Sequence, residues 1–127
     1  MSTETPKKRI LFIDDERINL LGARSVFGRE YEVYTATSAR EGMNIIEQTP
    51  MDAVVSDQRM PEMKGTDLFA AVPDRRRTGA RLILTGYSDD EEIRNALDTG
   101  IVDAVLEKPL QIADLVGRID KNDKTLR

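Results

Sequence analysis

The sequence predicts an α/β domain in which a parallel sheet is covered by helices on both faces. Apolar, β-branched runs begin near residues 9, 31, 53, 81 and 103, roughly 22 residues apart with one step of roughly 28. Segments with apolar residues at helical spacing lie between them. That alternation fits βαβ units, whose strands are buried on both sides and read as continuous apolar runs. At 127 residues the chain makes one domain with a core of useful size.

The first run, Ile10-Leu11-Phe12-Ile13, is apolar throughout and stops at Asp14-Asp15-Glu16. Leu20, Ala23, Val26 and Phe27 then form one helical face, and Gly28 helps to end that helix. Tyr31 to Ala36 alternates more, as a strand nearer an edge does. Ser38 and Glu41 form a capping box before a helix whose buried stripe is Ala39, Met43 and Ile46; Thr49-Pro50 terminates it. The third strand, Ala53 to Ser56, delivers Asp57 into a loop enforced by Pro61 and Gly65. Thr66 is placed to cap a third helix, with Leu68, Phe69 and Val72 inward and Pro73 as its end. Arg75-Arg76-Arg77 reads as a solvated turn. Leu82-Ile83-Leu84 gives the fourth strand, followed by Thr85-Gly86-Tyr87 and a second capping box, Ser88 to Glu91. Ile93, Ala96 and Leu97 face that helix inward, and Gly100 stops it. Ala104-Val105-Leu106 leads to Lys108-Pro109, and the last helix uses Ile112, Leu115, Val116 and Ile119. The expected layout is an arm over 1–8, the domain over 9–120 and a tail over 121–127.

Composition narrows the chemistry. No cysteine and no histidine are present, which excludes disulfides, thiolate and imidazole metal sites, cysteine nucleophiles and histidine acid–base work. Carboxylates, lysine, hydroxyls and a hard metal ion remain. A net charge of −4 gives no footprint for nucleic acid. No apolar run is long enough to span a bilayer and no signal peptide is visible, so a cytoplasmic protein without membrane contact is expected.

In an open parallel sheet, ligands bind beyond the C-terminal strand ends, where strand order reverses. Those ends carry Asp14 and Asp15, Asp57, Thr85 and Lys108. Each has a bland reading alone: a helix cap, a turn acid, a residue of high β-propensity, a surface lysine. Together they form a phosphoryl-transfer set. Three neighbouring carboxylates repel one another unless a cation intervenes, and Mg²⁺ suits an all-oxygen site. Asp57 can then stay ionised and attack a phosphoryl group, while the metal and Lys108 stabilise charge on its oxygens. Thr85 can donate a hydrogen bond to the phosphoryl oxygen.

These motifs resemble the receiver domain of two-component response regulators from about Arg9 to Ile119. Asp14-Asp15-Glu16, the run Ser56-Asp-Gln-Arg-Met-Pro-Glu-Met-Lys-Gly65, Leu84-Thr-Gly-Tyr87 and Lys108-Pro109 carry the likeness. The resemblance implies a flavodoxin-like (βα)₅ doubly wound parallel sheet with strand order 2-1-3-4-5. It makes Asp57 the phosphoacceptor, charged by a histidine kinase or histidine phosphotransfer protein. Asp15 would bind Mg²⁺ directly and Asp14 largely through water, joined by Asp57 and the backbone carbonyl of Arg59. Lys108 would pair with the phosphoryl group and precede a cis peptide to Pro109. Thr85 would couple phosphorylation to the face of the fourth helix, fifth strand and fifth helix. The implied role is a signalling module rather than an enzyme.

Two positions depart from the family pattern. The aromatic usual three residues before the lysine is Val105, and the position after Lys-Pro, often Phe or Trp, is Leu110. Tyr87 or a different output surface would then take over that half of the switch. The wording Ser-Asp-Gln-Arg-Met-Pro and Leu-Thr-Gly-Tyr resembles a receiver subgroup often fused to output domains, cyclic-dinucleotide phosphodiesterases among them. A single-domain regulator and an excised receiver both fit. Implied partners are the phosphodonor, a downstream protein or fused output domain, and a phosphorylation-dependent second copy. A pseudo-receiver acting without phosphate is the alternative. A haloacid-dehalogenase-like phosphatase is a third reading, but it needs an acid where Arg59 stands.

Overall fold

A computed structural model describes residues 6–86 and 90–124. Five strands, β1 (Arg9–Ile13), β2 (Glu32–Ala36), β3 (Ala53–Asp57), β4 (Ala80–Thr85) and β5 (Ala104–Glu107), form one sheet in the order β2-β1-β3-β4-β5. Every pairing is parallel. The chain moves out from β1 to β2, then returns past β1 to β3. The reversal therefore falls between β1 and β3, where Ile13 pairs with Ser56.

Residues of period two divide between two cores. Leu11, Ile13, Val54 and Ile83 face α2 (Ala39–Gln48), α3 (Gly65–Ala71) and α5 (Glu91–Asp98), meeting Ile46, Leu68, Phe69 and Ile93. Ile10, Phe12, Val55, Leu82 and Leu106 face α1 (Arg17–Phe27) and α6 (Ile112–Lys124), meeting Leu20, Phe27, Leu115 and Ile119. Among the described residues no helix is long and apolar enough to cross a membrane.

Several local expectations change. Val26, Leu97 and Ile112, expected inward, are 51%, 37% and 53% exposed. The arginine-rich stretch is a single helical turn, α4 (Arg75–Thr78), capped by the Asp74 carboxylate, which accepts from Arg76 N at 3.0 Å. Its arginines are anchored: Arg75 donates to Gly100 O at 3.0 Å and pairs with Asp103, and Arg77 donates to Glu47 O. Gly79 follows at φ +61, and a Cβ there would lie 2.0 Å from Asp52 O. Asp90 caps α5 by accepting from Glu92 N at 2.8 Å. Tyr87 and Ser88 lie outside the described residues. Helix α6 continues to Lys124, past the expected tail boundary at 121, and residues 125–127 lie outside the described residues.

Arg81 is the least anticipated core residue. It stands near the start of β4, yet it is 3% exposed. Its guanidinium donates to Thr78 Oγ1 at 2.9 Å and Phe69 O at 2.9 Å, and also to Val72 O. It lies 5.7 Å from the Phe69 ring centroid. A buried cation thus donates to two carbonyls at the C-terminal end of α3: Val72 O at the cap, and Phe69 O, which also accepts from Val72 N at 3.3 Å.

Candidate functional site

The four motif-bearing strand ends meet at one rim. One carboxylate oxygen from each of Asp14, Asp15 and Asp57 lies within 4.8 Å of the other two. Asp14 and Asp57 are buried, and Asp15 is exposed. Lys108 Nζ stands 3.1 Å from Asp57 Oδ1, reaching in from the loop after β5. Thr85 is buried at the end of β4, one residue beyond Leu84, which pairs with Asp57. Arg59 lies two residues past Asp57, its side chain exposed and 3.9 Å from Asp90 Oδ2. The peptide between Lys108 and Pro109 is cis.

The first acid is held firmly. Asp14 Oδ1 accepts from Glu16 N at 2.9 Å and Oδ2 from Asn19 Nδ2 at 3.0 Å. Its own amide donates to Ala36 O at 3.1 Å, fixing the turn out of β1. Asn19 is a partner that the sequence did not single out. A polar residue one turn into α1 has no distinguishing signal there.

The loop after Asp57 is also built rather than loose. Met63 N donates to Pro61 O at 2.8 Å across Glu62, whose φ is 72, a γ-turn with a left-handed centre. The chain then returns over the strand end. A Cβ on Gly65 would lie 2.7 Å from Asp57 O and 2.7 Å from Ile83 Cδ1, so only glycine allows this approach. Lys64, not Thr66, occupies the N-cap of α3, with Lys64 N donating to Asp67 Oδ2 at 3.3 Å.

Thr66 is instead locked to Gln58. The Gln58 side chain is 1% exposed; its Nε2 donates to Thr66 Oγ1 at 3.1 Å and its Oε1 accepts from Thr66 N at 3.0 Å. Gln58 O also accepts from Gly65 N at 3.1 Å. One buried amide therefore joins the residue after Asp57 to the first turn of α3. Gln58→Leu keeps the approximate shape but strands one buried donor, Thr66 N, and removes the donor to Thr66 Oγ1, and is expected to cost about 2 kcal/mol. The melting temperature should drop by roughly 6–10 °C in thermal unfolding.

Burial pushes the Asp57 carboxyl above the ordinary carboxylate value, Lys108 opposes that, and Asp14 and Asp15 add to it. The folded protein thus holds this proton to higher pH than the unfolded chain. Asp57 therefore weakens the metal-free fold at neutral pH. The penalty shrinks as pH falls through the folded value and is gone below the unfolded one. The stability difference between wild type and Asp57→Asn should accordingly close on acidification, read as melting temperature against pH in chelator.

Val105 is half-buried against the α2–α3–α5 core, and Leu110 packs on the α1–α6 core. Two ion pairs, Arg59–Asp90 and Lys64–Glu92, link the loop after β3 to the first turn of α5.

A five-stranded parallel sheet with helices on both faces, carrying an acid cluster and a lysine at its switch point, places the chain in the doubly wound α/β class. The family model of the response regulator receiver domain matches residues 10–120, and the chain belongs to that family. It is 33% identical over 113 residues to the transcriptional regulatory protein GlrR of Escherichia coli, covering 87% of this chain and 25% of that protein. It is 31% identical over 84 residues to the hydrogenase transcriptional regulatory protein HoxA of Cupriavidus necator, covering 66% of this chain and 17% of the relative. The chain thus spans a quarter or less of these curated relatives. A CheY-like receiver domain from Methanospirillum hungatei superposes with a TM-score of 0.82 at 31% identity, over 94% of this chain and 98% of that one. The protein is a response regulator receiver domain of two-component signalling. Receiver domains bind Mg²⁺ at an acidic pocket and usually work with histidine kinases and fused output domains.

Proposed function

We propose that Asp57 accepts a phosphoryl group from a phosphohistidine donor and that the aspartyl phosphate switches a partner or output-domain contact. The observation that carries this is the Lys108–Asp57 approach of 3.1 Å beside Asp14 and Asp15. An Asp57 carboxylate oxygen forms the new bond to phosphorus as the bond from phosphorus to the donor nitrogen breaks. Lys108 leaves the carboxylate to hold a phosphoryl oxygen, and Thr85 at the neighbouring strand end donates its hydroxyl to another.

Asp14, Asp15 and Asp57 supply hard oxygen donors only, and their mutual repulsion asks for a cation, so the set fits Mg²⁺. The backbone carbonyl of Arg59 is our fourth protein ligand. Held there, Mg²⁺ would supply charge neutralisation, to the carboxylates and to the phosphoryl oxygens. Arg59 offers no acid at the position a phosphatase of the haloacid-dehalogenase kind requires, which favours a stored phosphate over steady hydrolysis.

The phosphate adds about one to two negative charges at the rim. With Val105 in place of an aromatic, the response runs through Thr85 and the two ion pairs onto α5. The names of GlrR and HoxA are those of transcriptional regulators. A longer regulator carrying this receiver, or a separate docked partner, would read the switch, with a phosphorylation-dependent dimer as one form of output.

Intact-mass spectrometry with Mg²⁺ and acetyl phosphate tests the reading. A single phosphoryl adduct that disappears in chelator is expected. No adduct under either condition overturns it in favour of a module that signals without phosphate.

A further inference from the structure

We propose that the cleft between α1 and the start of α6 seats the leaving group of the phosphoryl donor, so that acyl phosphates with apolar chains are used in preference to acetyl phosphate. This rests on the phosphoacceptor reading of Asp57. The cleft encloses about 640 Å³ and is continuous with the acceptor site: Asp14, Asp57 and Lys108 line one end, and Leu84 and Leu110 lie among its apolar walls. Ile18 and Ile112 also line it and are 71% and 53% exposed, a large apolar surface left in water beside a charged centre.

The donor's phosphorus is fixed by Asp57 and Lys108, and its leaving group must point away from the attacking carboxylate oxygen. On the side of the rim facing α5 it would meet the ion pairs Arg59–Asp90 and Lys64–Glu92. Toward α1 and α6 it meets carbon. Among the described residues, a hydrocarbon chain on the leaving group therefore gains contact on that side, and covers Ile18 and Ile112 as it does so. The step balances without a co-reactant: Asp57 O–P forms, the acyl O–P bond breaks, and the carboxylate leaves as an anion with no proton moved.

Acetyl and butyryl phosphate isolate the effect, because their leaving carboxylates have nearly equal basicity and differ by two methylenes. A fully buried methylene is worth about fourfold, and a half-covered one about twofold. Butyryl phosphate should therefore form the Asp57 adduct about four- to tenfold faster per unit donor concentration, with Mg²⁺, by time-resolved intact mass. The double variant Ile18→Asn/Ile112→Asn, at two exposed positions, should bring the ratio to about one while the acetyl phosphate rate stays within about twofold. Leu97→Asn on α5 should leave the ratio unchanged. Equal wild-type rates, or a preference surviving the double variant, overturn the proposal. No adduct from either donor overturns the phosphoacceptor reading itself, and this proposal with it.

Discussion

Without metal, Asp57→Asn is expected to melt higher than the wild type by roughly 3–10 °C, about 1–2 kcal/mol. The variant removes a carboxylate that is buried and faces two others, at the cost of one contact to the half-exposed Lys108. Lys108 can turn to water, whereas Asp57 cannot, so the repulsion and desolvation outweigh the ion pair. Mg²⁺ should reverse the order. The wild type gains about 2.7 kcal/mol at a hundredfold excess of metal over its Kd, and the variant, short of one ligand, gains much less. A differential scanning series with and without Mg²⁺ reads both effects. A variant that melts lower than the wild type in chelator would show that the Lys108 contact dominates.

Arg81→Met should be the most damaging single change away from the rim, at about 3 kcal/mol and roughly 10–15 °C in melting temperature. Methionine fills much of the space but supplies none of the donors now given to Phe69 O, Val72 O and Thr78 Oγ1. Two of those acceptors close the end of α3, the helix that starts at the Asp57 loop. Arg81→Lys keeps the charge but offers one nitrogen for three positions, and should recover less than half of the loss. Because Arg81 sits at the opposite end of β4 from Thr85, the folded fraction should still form the phosphoryl adduct. A Met variant within about 0.5 kcal/mol of wild type would mean that water satisfies those carbonyls as well as the guanidinium does.

The rim was legible in the sequence for a physical reason. Buried parallel strands announce themselves as apolar runs, and a charged or hydroxyl residue ending such a run has only the sheet edge to occupy. Asp14, Asp15, Asp57, Thr85 and Lys108 are all legible that way, and so are the two covered faces; the strand order follows from the likeness to the receiver family. Ser38 and Glu41 were equally readable, because capping is local: Glu41 N donates to Ser38 Oγ at 3.1 Å. What the sequence hid was polar residues doing interior work. Gln58 follows a strand into a Pro/Gly loop and looks solvated; its burial depends on Thr66, eight residues later, folding back over it. Arg81 adjoins an arginine-rich stretch, and only the tertiary position of the α3 carbonyls explains its place in the core. Val26, Leu97 and Ile112 erred the other way. Helical period marks them as facing inward, but the stripe they extend is wider than the sheet beneath it, so its margin stays in water.

The central claim is that one carboxylate, Asp57, carries the phosphoryl group. Borohydride reduction after treatment with Mg²⁺ and acetyl phosphate tests this directly, because it converts an aspartyl phosphate to homoserine, which peptide mass mapping locates. Homoserine at position 57 and nowhere else, absent from Asp57→Asn, is the expected result. Reduction at position 14 or 15, or a phosphate that resists borohydride, would contradict the account.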